Sequence, residues 1–187
     1  MRAGELVYLA AGLGVALAAG VALKGCAAGP APARTVRAER FELVDAAGKP
    51  RAILSMTPVG AALELLDAAG ETRAALALIK DDPVLALFDA GAKQRASLGV
   101  DKQGPALLLF DGARRMRASL AVDEDCPGLV LKDAPGKIRA ILGVPDKGPC
   151  FDLLDAAGEL RATLAVEKVG PFLVLRDAAG KPIWSTP

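Results

Sequence analysis

Seven aspartates and six arginines recur at fixed places in this 187-residue chain and carry most of its candidate chemistry. Asp45, Asp67, Asp89, Asp111, Asp133, Asp155 and Asp177 are spaced by 22 residues without a slip. Arg51, Arg73, Arg95, Arg117, Arg139 and Arg161 follow the first six of them, each six residues later. A carboxylate and a guanidinium at constant offset can serve two ends. Lined up on one face, the arginines form a possible anion-binding ladder for phosphate or carboxylate groups, helped by Lys49, Lys93, Arg115 and Lys137. Alternatively, the aspartate shapes a turn and the arginine is a solvated partner, worth only about 0.2–1 kcal/mol as an exposed cross-strand pair.

Local composition favours the turn. In "DAAGKPRAIL", residues 45–54, aspartate stands first and glycine fourth, and "DAAGETRAAL" at 67 and "DAAGELRATL" at 155 repeat the arrangement. An aspartate that bonds nearby backbone N–H groups and a glycine free to take positive φ compose a type I turn leading into a left-handed residue. The structural turn residues are thus Asp45 and Gly48, Asp67 and Gly70, Asp155 and Gly158, Asp177 and Gly180. Ala92 and Arg114 stand where the other five units have glycine, so those two turns should be altered or strained.

Little else offers catalysis. Histidine is absent, which removes the usual general base near neutral pH and the commonest metal ligand. The one acidic cluster, "DEDC" at 123–126, lacks the ligand spacing of a calcium loop. Lys plus Arg number 23 against 22 for Asp plus Glu, so charge gives no argument for a nucleic-acid partner, and 4% aromatic residues make stacking platforms scarce. The expectation is a protein that is not an enzyme, with no cofactor, metal or small-molecule substrate.

The elements that must position these residues repeat with them. A leucine stands two residues before every repeated aspartate, from Leu43 to Leu175, and an alanine follows each repeated arginine. Inside each unit the alternation has period two: Phe41 and Leu43 share a face, as do Ala52, Leu54 and Met56, opposite Glu42, Val44, Arg51 and Ile53. That is strand, about two per unit. The expected fold is all-β, seven 22-residue hairpin repeats in a curled antiparallel meander, with a β-solenoid as the alternative. With Asp45 to Gly48 as a four-residue loop, Val44 pairs with Lys49, Glu42 with Arg51 and Phe41 with Ala52, and the sheet curls or folds over to hide its leucines. The second connection of each unit ("DKQGP", "DEDCPG", "PDKGP", "EKVGP") is more variable and the better place for specificity. Cys126 and Cys150 lie in such connections in successive units, where a disulfide is easier in a solenoid than in a meander. In the last unit Ile183 replaces the arginine and Trp184 the alanine, which suggests a structural cap at Trp184 closing an open core end.

The N-terminus is different material. Residues 6–23 form an 18-residue uncharged run, long enough to cross about 30 Å of hydrocarbon as a helix. The domain organisation is therefore a transmembrane anchor helix at 1–23, a Pro/Ala/Gly linker at 24–37 and the β-repeat domain at 38–187. Cleavage after Ala31-Pro32-Ala33 and lipidation at Cys26 are the rivals to an uncleaved anchor. Gly12, Ala16 and Gly20 recur every four residues, a small-residue stripe suited to packing against other transmembrane helices or a second copy. Positive charges after the span favour a cytoplasmic repeat domain, while the tether-and-spacer layout favours the periplasmic, extracytoplasmic side, which is the expectation adopted.

Over residues 38–187 the chain resembles bacterial membrane-anchored β-hairpin-repeat proteins carrying "F-x-L-x-D-x-x-G-K-x-R-A-x-L" units, and MORN-type arrays in period only. The resemblance implies a hairpin-repeat fold and brings no catalytic or binding residue with it. The function these observations imply is a membrane-tethered structural or interaction protein, an accessory or scaffold subunit of a membrane or envelope complex. The alternative is a binding module for an anionic envelope component.

Overall fold

Leucine and alanine are intrinsically helix formers, yet here a two-residue alternation and a turn signal every 22 residues override that preference. The computed structural model describes residues 35–123 and 126–186. Fourteen strands follow one another: β1 Arg40–Val44, β2 Pro50–Thr57, β3 Gly60–Leu66, β4 Thr72–Ile79, β5 Asp82–Phe88, β6 Gln94–Asp101 and β7 Gly104–Phe110 make the first half. The second half is β8 Met116–Asp123, β9 Cys126–Lys132, β10 Ile138–Gly143, β11 Cys150–Leu154, β12 Leu160–Glu167, β13 Gly170–Arg176 and β14 Pro182–Ser185. They form one antiparallel sheet in strict sequence order from β1 to β14. Consecutive antiparallel pairing is a meander, and it rules out the solenoid, whose neighbouring strands would come from successive coils. The apolar run at 6–23, with Gly12, Ala16 and Gly20, and most of the linker lie outside the described residues.

Register departs from the four-residue-loop expectation in an informative way. Phe41 faces Leu54, Glu42 faces Ile53 and Leu43 faces Ala52, while Val44 faces Pro50. Arg51 is therefore an extra residue, a β-bulge opposite the Leu43–Val44 step. The same shift recurs beside Arg73, Arg95, Arg117, Arg139 and Arg161, and beside Ile183 in the last hairpin. Its cause lies in the turn. Gly48 N–H donates to Asp45 O at 2.9 Å and Asp45 N–H to Lys49 O at 2.9 Å, so only three residues separate the paired Asp45 and Lys49. Such an odd loop alone would set Leu43 beside Arg51 and mix the faces; one bulged residue restores the parity. Face assignment from the periodicity holds, and the pairing slides by two residues.

Those faces are unlike. One carries three parallel rows. Leu54, Leu63, Leu76, Leu85, Leu98 and Leu107 stand opposite one another in succession, and the row continues through Leu120, Leu129, Leu142, Phe151, Leu164 and Leu173. On one side of it runs an alternating row of leucines and alanines, and on its other side a row that includes Met56, Leu78, Pro83, Val100, Pro105, Val122 and Val166. No charged or polar side chain from the fourteen strands falls on this face. The second face has smaller and mixed residues: Ile53, Glu64, Ala75, Ala86, Ser97, Leu108 and Ser119 form its central row.

Burial reverses the expected inside and outside. The leucine face is the open one, with Leu54 at 46%, Leu76 at 52% and Leu120 at 53% exposure, whereas Ile53, Ala62, Ser97 and Ala165 on the second face are buried. Among the described residues no strand approaches any strand except its sequence neighbours, and no large side chain is fully buried. The sheet has not folded over its leucines: every hairpin adds at the growing edge, and nothing in the meander brings a second layer across. Trp184 follows suit. It stands opposite Leu175 on the leucine face, half exposed, and extends that face where a plug for a core end was expected.

Candidate functional site

Along one edge of the sheet the seven Asp-turns succeed each other every second strand, and the first six build the same small device. Asp45 Oδ1 accepts the backbone N–H groups of Ala47 at 2.9 Å and Lys49 at 3.0 Å, while its Oδ2 accepts Arg51 Nε at 2.9 Å. Asp67 repeats this with Ala69, Glu71 and Arg73 Nε at 2.8, 3.0 and 2.8 Å, and Asp155 with Ala157, Glu159 and Arg161 Nε at 2.8, 3.0 and 2.6 Å. One carboxylate oxygen closes the turn and the other holds the bulged arginine. The bulge is what turns the arginine back toward its own turn.

Each guanidinium then reaches forward. Arg51 Nη1 donates to the carbonyl oxygen of Asp67, Arg73 Nη1 to that of Asp89, and Arg161 Nη1 to that of Asp177 at 2.5 Å. Arg95 and Arg117 use Nε for the same purpose, on Phe110 O at 3.0 Å and Lys132 O at 2.8 Å. Arg139 ion-pairs with Asp133 and donates to Ala156 O at 3.3 Å, leaving its Nη1 buried without a partner. Lys93 and Lys137 add Nζ bonds to Gly112 O and Ala156 O, at 2.9 and 3.0 Å. Turn, arginine and next turn thus form a relay along the edge.

These contacts set the charge state of the edge. The Lys49 backbone N–H and then the Arg51 guanidinium hold Asp45 below its usual carboxylate range, and the Glu71 N–H and Arg73 do so for Asp67. The backbone N–H groups of Lys93 and Glu159, aided by Arg95 and Arg161, lower Asp89 and Asp155 against an opposing effect of burial. At Asp133 burial is the largest influence and pushes upward, but the Lys137 N–H and Arg139 together outweigh it. Asp111, with the Arg115 N–H first and the Arg115 side chain in addition, is lowered to about 2. Six carboxylates of the edge, from Asp45 to Asp155, are thus matched by guanidinium groups.

Where the other sequence-derived candidates fall is quickly told. Gly48, Gly70, Gly158 and Gly180 take φ of 76°, 87°, 93° and 80°, as the turn requires. Ala92 and Arg114 take φ of 55° and 62° in turns whose hydrogen bonds are unchanged, so the turns are preserved and the residues carry the strain. Glu42, expected opposite Arg51, faces Ile53 across the sheet, and in a later unit Asp152 faces Thr163, whose Oγ1 donates to it at 2.8 Å. Cys126 and Cys150 are both free thiols. Among the described residues no cluster of acidic and cysteine side chains has the makings of a metal site.

The bulge is hidden from residue alternation, yet the sequence carries a signal for it. A glycine fourth in an Asp-turn marks a three-residue loop, and an odd loop between strands of fixed facing demands one extra residue nearby. No family model matches the chain, and no curated protein matches it.

Proposed function

We propose that this is a non-enzymatic, membrane-tethered structural and interaction protein, an accessory or scaffold subunit whose repeat sheet is a contact surface. The observation that carries this reading is the leucine face: fourteen strands contribute only apolar residues to it, and most of its central leucines are 36–53% exposed. Soluble chains rarely leave more than a few hundred Å² of contiguous apolar surface uncovered, and larger patches mark protein or membrane contacts. The apolar run at 6–23, with the Gly12, Ala16 and Gly20 stripe, supplies the tether and a second means of association in lipid. An extracytoplasmic placement of the sheet completes the proposal.

The rival, an anion-binding module, asks for guanidinium groups with donors to spare. Arg51, Arg73 and Arg161 commit all three guanidinium nitrogens to carboxylates and carbonyls of the chain itself, while Arg95, Arg117 and Arg139 each keep at least one nitrogen unbonded, so the six present no uniform ladder of free guanidinium groups. The test is extraction of the full chain from native membranes in mild detergent. Co-purification or self-association is expected; a lone monomer without partners would overturn the reading.

A further inference from the structure

We infer that the leucine face is covered by the leucine face of a second copy, so that two single sheets close into one two-layer sandwich. This rests on the proposed function, in which the exposed face is a contact surface, and names its occupant. Three observations point to a second copy. The first is area. Fourteen strands about 4.8 Å apart give a face about 60 Å long, and three outward residues on ten of them, two on β1, β10 and β11 and one on β14, give it a width of up to about 14 Å. The face is thus somewhat under about 850 Å², close to the roughly 800 Å² that each partner buries in a stable complex.

Second is relief. Leu65, Ala74, Leu87, Ala96, Leu109 and Ala118 stand side by side, each opposite the next across the sheet. Large and small therefore alternate with a repeat of two strands, about 9.6 Å. The leucines protrude, at 49%, 44% and 44% exposure for Leu65, Leu87 and Leu109. A surface that fills these hollows must carry knobs at the same pitch over the same length. An identical sheet has that pitch by construction: laid face to face about a two-fold axis parallel to the strands, with β1 over β14, it sets leucine against alanine along this row, as facing sheets about 10 Å apart require. A bilayer surface has no pitch and would make no use of the alternation.

Third is the rim. The Asp–Arg relay lies along one long margin of the apolar strip, and along the other lie connections in which Lys80, Asp81, Lys102, Gln103 and Lys168 outnumber the exposed Val59, Val144 and Val169. An apolar centre between charged borders is the layout of a protein interface that stops at a defined width. The charged borders also keep the sandwich from growing sideways, and the free edges are short strands, five residues in β1 and four in β14, the latter opening on Pro182.

The experiment places a benzoylphenylalanine photo-crosslinker at Leu107, in the middle of the leucine face, or at Glu64 on the second face, in the full chain in its native membrane. Illumination is expected to give an adduct of twice the chain mass from Leu107 and none from Glu64. An adduct of Leu107 with a different protein would overturn self-pairing while leaving the contact-surface reading intact; adducts with lipid alone would overturn both. In parallel, light scattering of the full chain in mild detergent should give a dimer, and Leu107→Glu should raise the dimer dissociation constant about 100-fold or more with an unchanged strand spectrum by circular dichroism. A folded Leu107→Glu chain that stays dimeric would refute the inference, and the crosslink decides the matter should that variant not fold.

Discussion

Arg117 donates its Nε to the carbonyl oxygen of Lys132 at 2.8 Å, across the boundary between one hairpin and the next. Neighbouring hairpins in a meander already share strand hydrogen bonds, so this contact adds a second link at the level of the turns. Each guanidinium also holds the aspartate of its own turn, which makes a folded turn in one unit favour a folded turn in the next.

Replacing such an arginine should loosen two hairpins at once. In Arg73→Lys a single ammonium cannot both grip the Asp67 carboxylate and reach the Asp89 carbonyl, since the planar fork is what spans them. Thermal unfolding followed by circular dichroism should show Tm lower by about 3 °C. An unchanged Tm would mean that the relay is decoration.

The aspartates give the fold a pH dependence whose sign is fixed. Asp45, Asp67, Asp89, Asp133 and Asp155 are held below their usual value, and Asp111 is lowered from 3.8 to about 2. Over that interval the unfolded chain binds more protons than the folded one, so protonation favours unfolding. Their contribution is complete above the ordinary carboxylate value of 3.8 and is lost as pH falls toward about 2. Calorimetric scans should show Tm level from about pH 5 to 7 and falling below about pH 4. Asp111→Asn should flatten part of the acid limb.

Glycine substitutions separate backbone strain from crowding. Ala92→Gly and Arg114→Gly place the residue suited to positive φ in the two turns that lack it, and each should stabilise by about 0.5–1 kcal/mol in urea titration. Gly70→Ala introduces the opposite strain in open space, since no atom lies within 4 Å of the new Cβ, and should cost about 1 kcal/mol. Gly104→Ala should cost far more, because its Cβ would overlap the carbonyl oxygen of Val122 in the next hairpin. Equal costs at Gly70 and Gly104 would show that the second-edge turns are looser than they stand.

Much of this was legible in residues alone. Leu43, Ala52 and Leu54 announce their common face by alternation, and Asp45 with Gly48 announces the turn, because both signals are local. Register was harder: whether Leu43 meets Pro50 or Ala52 depends on two irregularities that cancel in parity, and alternation is blind to an even shift. The role of Arg51 was hidden for the same reason, since only as the bulged residue can it turn back to Asp45. Exposure of the leucine face was beyond local reasoning altogether. A period-two pattern says that the leucines share a side, but what covers that side is set by an association that no single unit encodes.

The last hairpin offers a test by completion. Asp177 Oδ1 accepts the N–H groups of Ala179 and Lys181 at 2.9 Å each, as in the other turns, but Ile183 occupies the bulge where an arginine would stand, and it is 66% exposed. Ile183→Arg should restore the bond to the second carboxylate oxygen, because the bulge that aims the side chain is already there. Among the described residues no later turn accepts a forward bond. The expected gain is therefore the carboxylate half of the device, a Tm higher by about 1 °C, smaller than the loss at Arg73, where both halves go. Ile183→Gln, with matching loss of apolar contact but no charge, should give no gain. If the arginine and glutamine variants melt together, the relay draws its stability from the forward carbonyl bond, and the aspartate serves the turn alone.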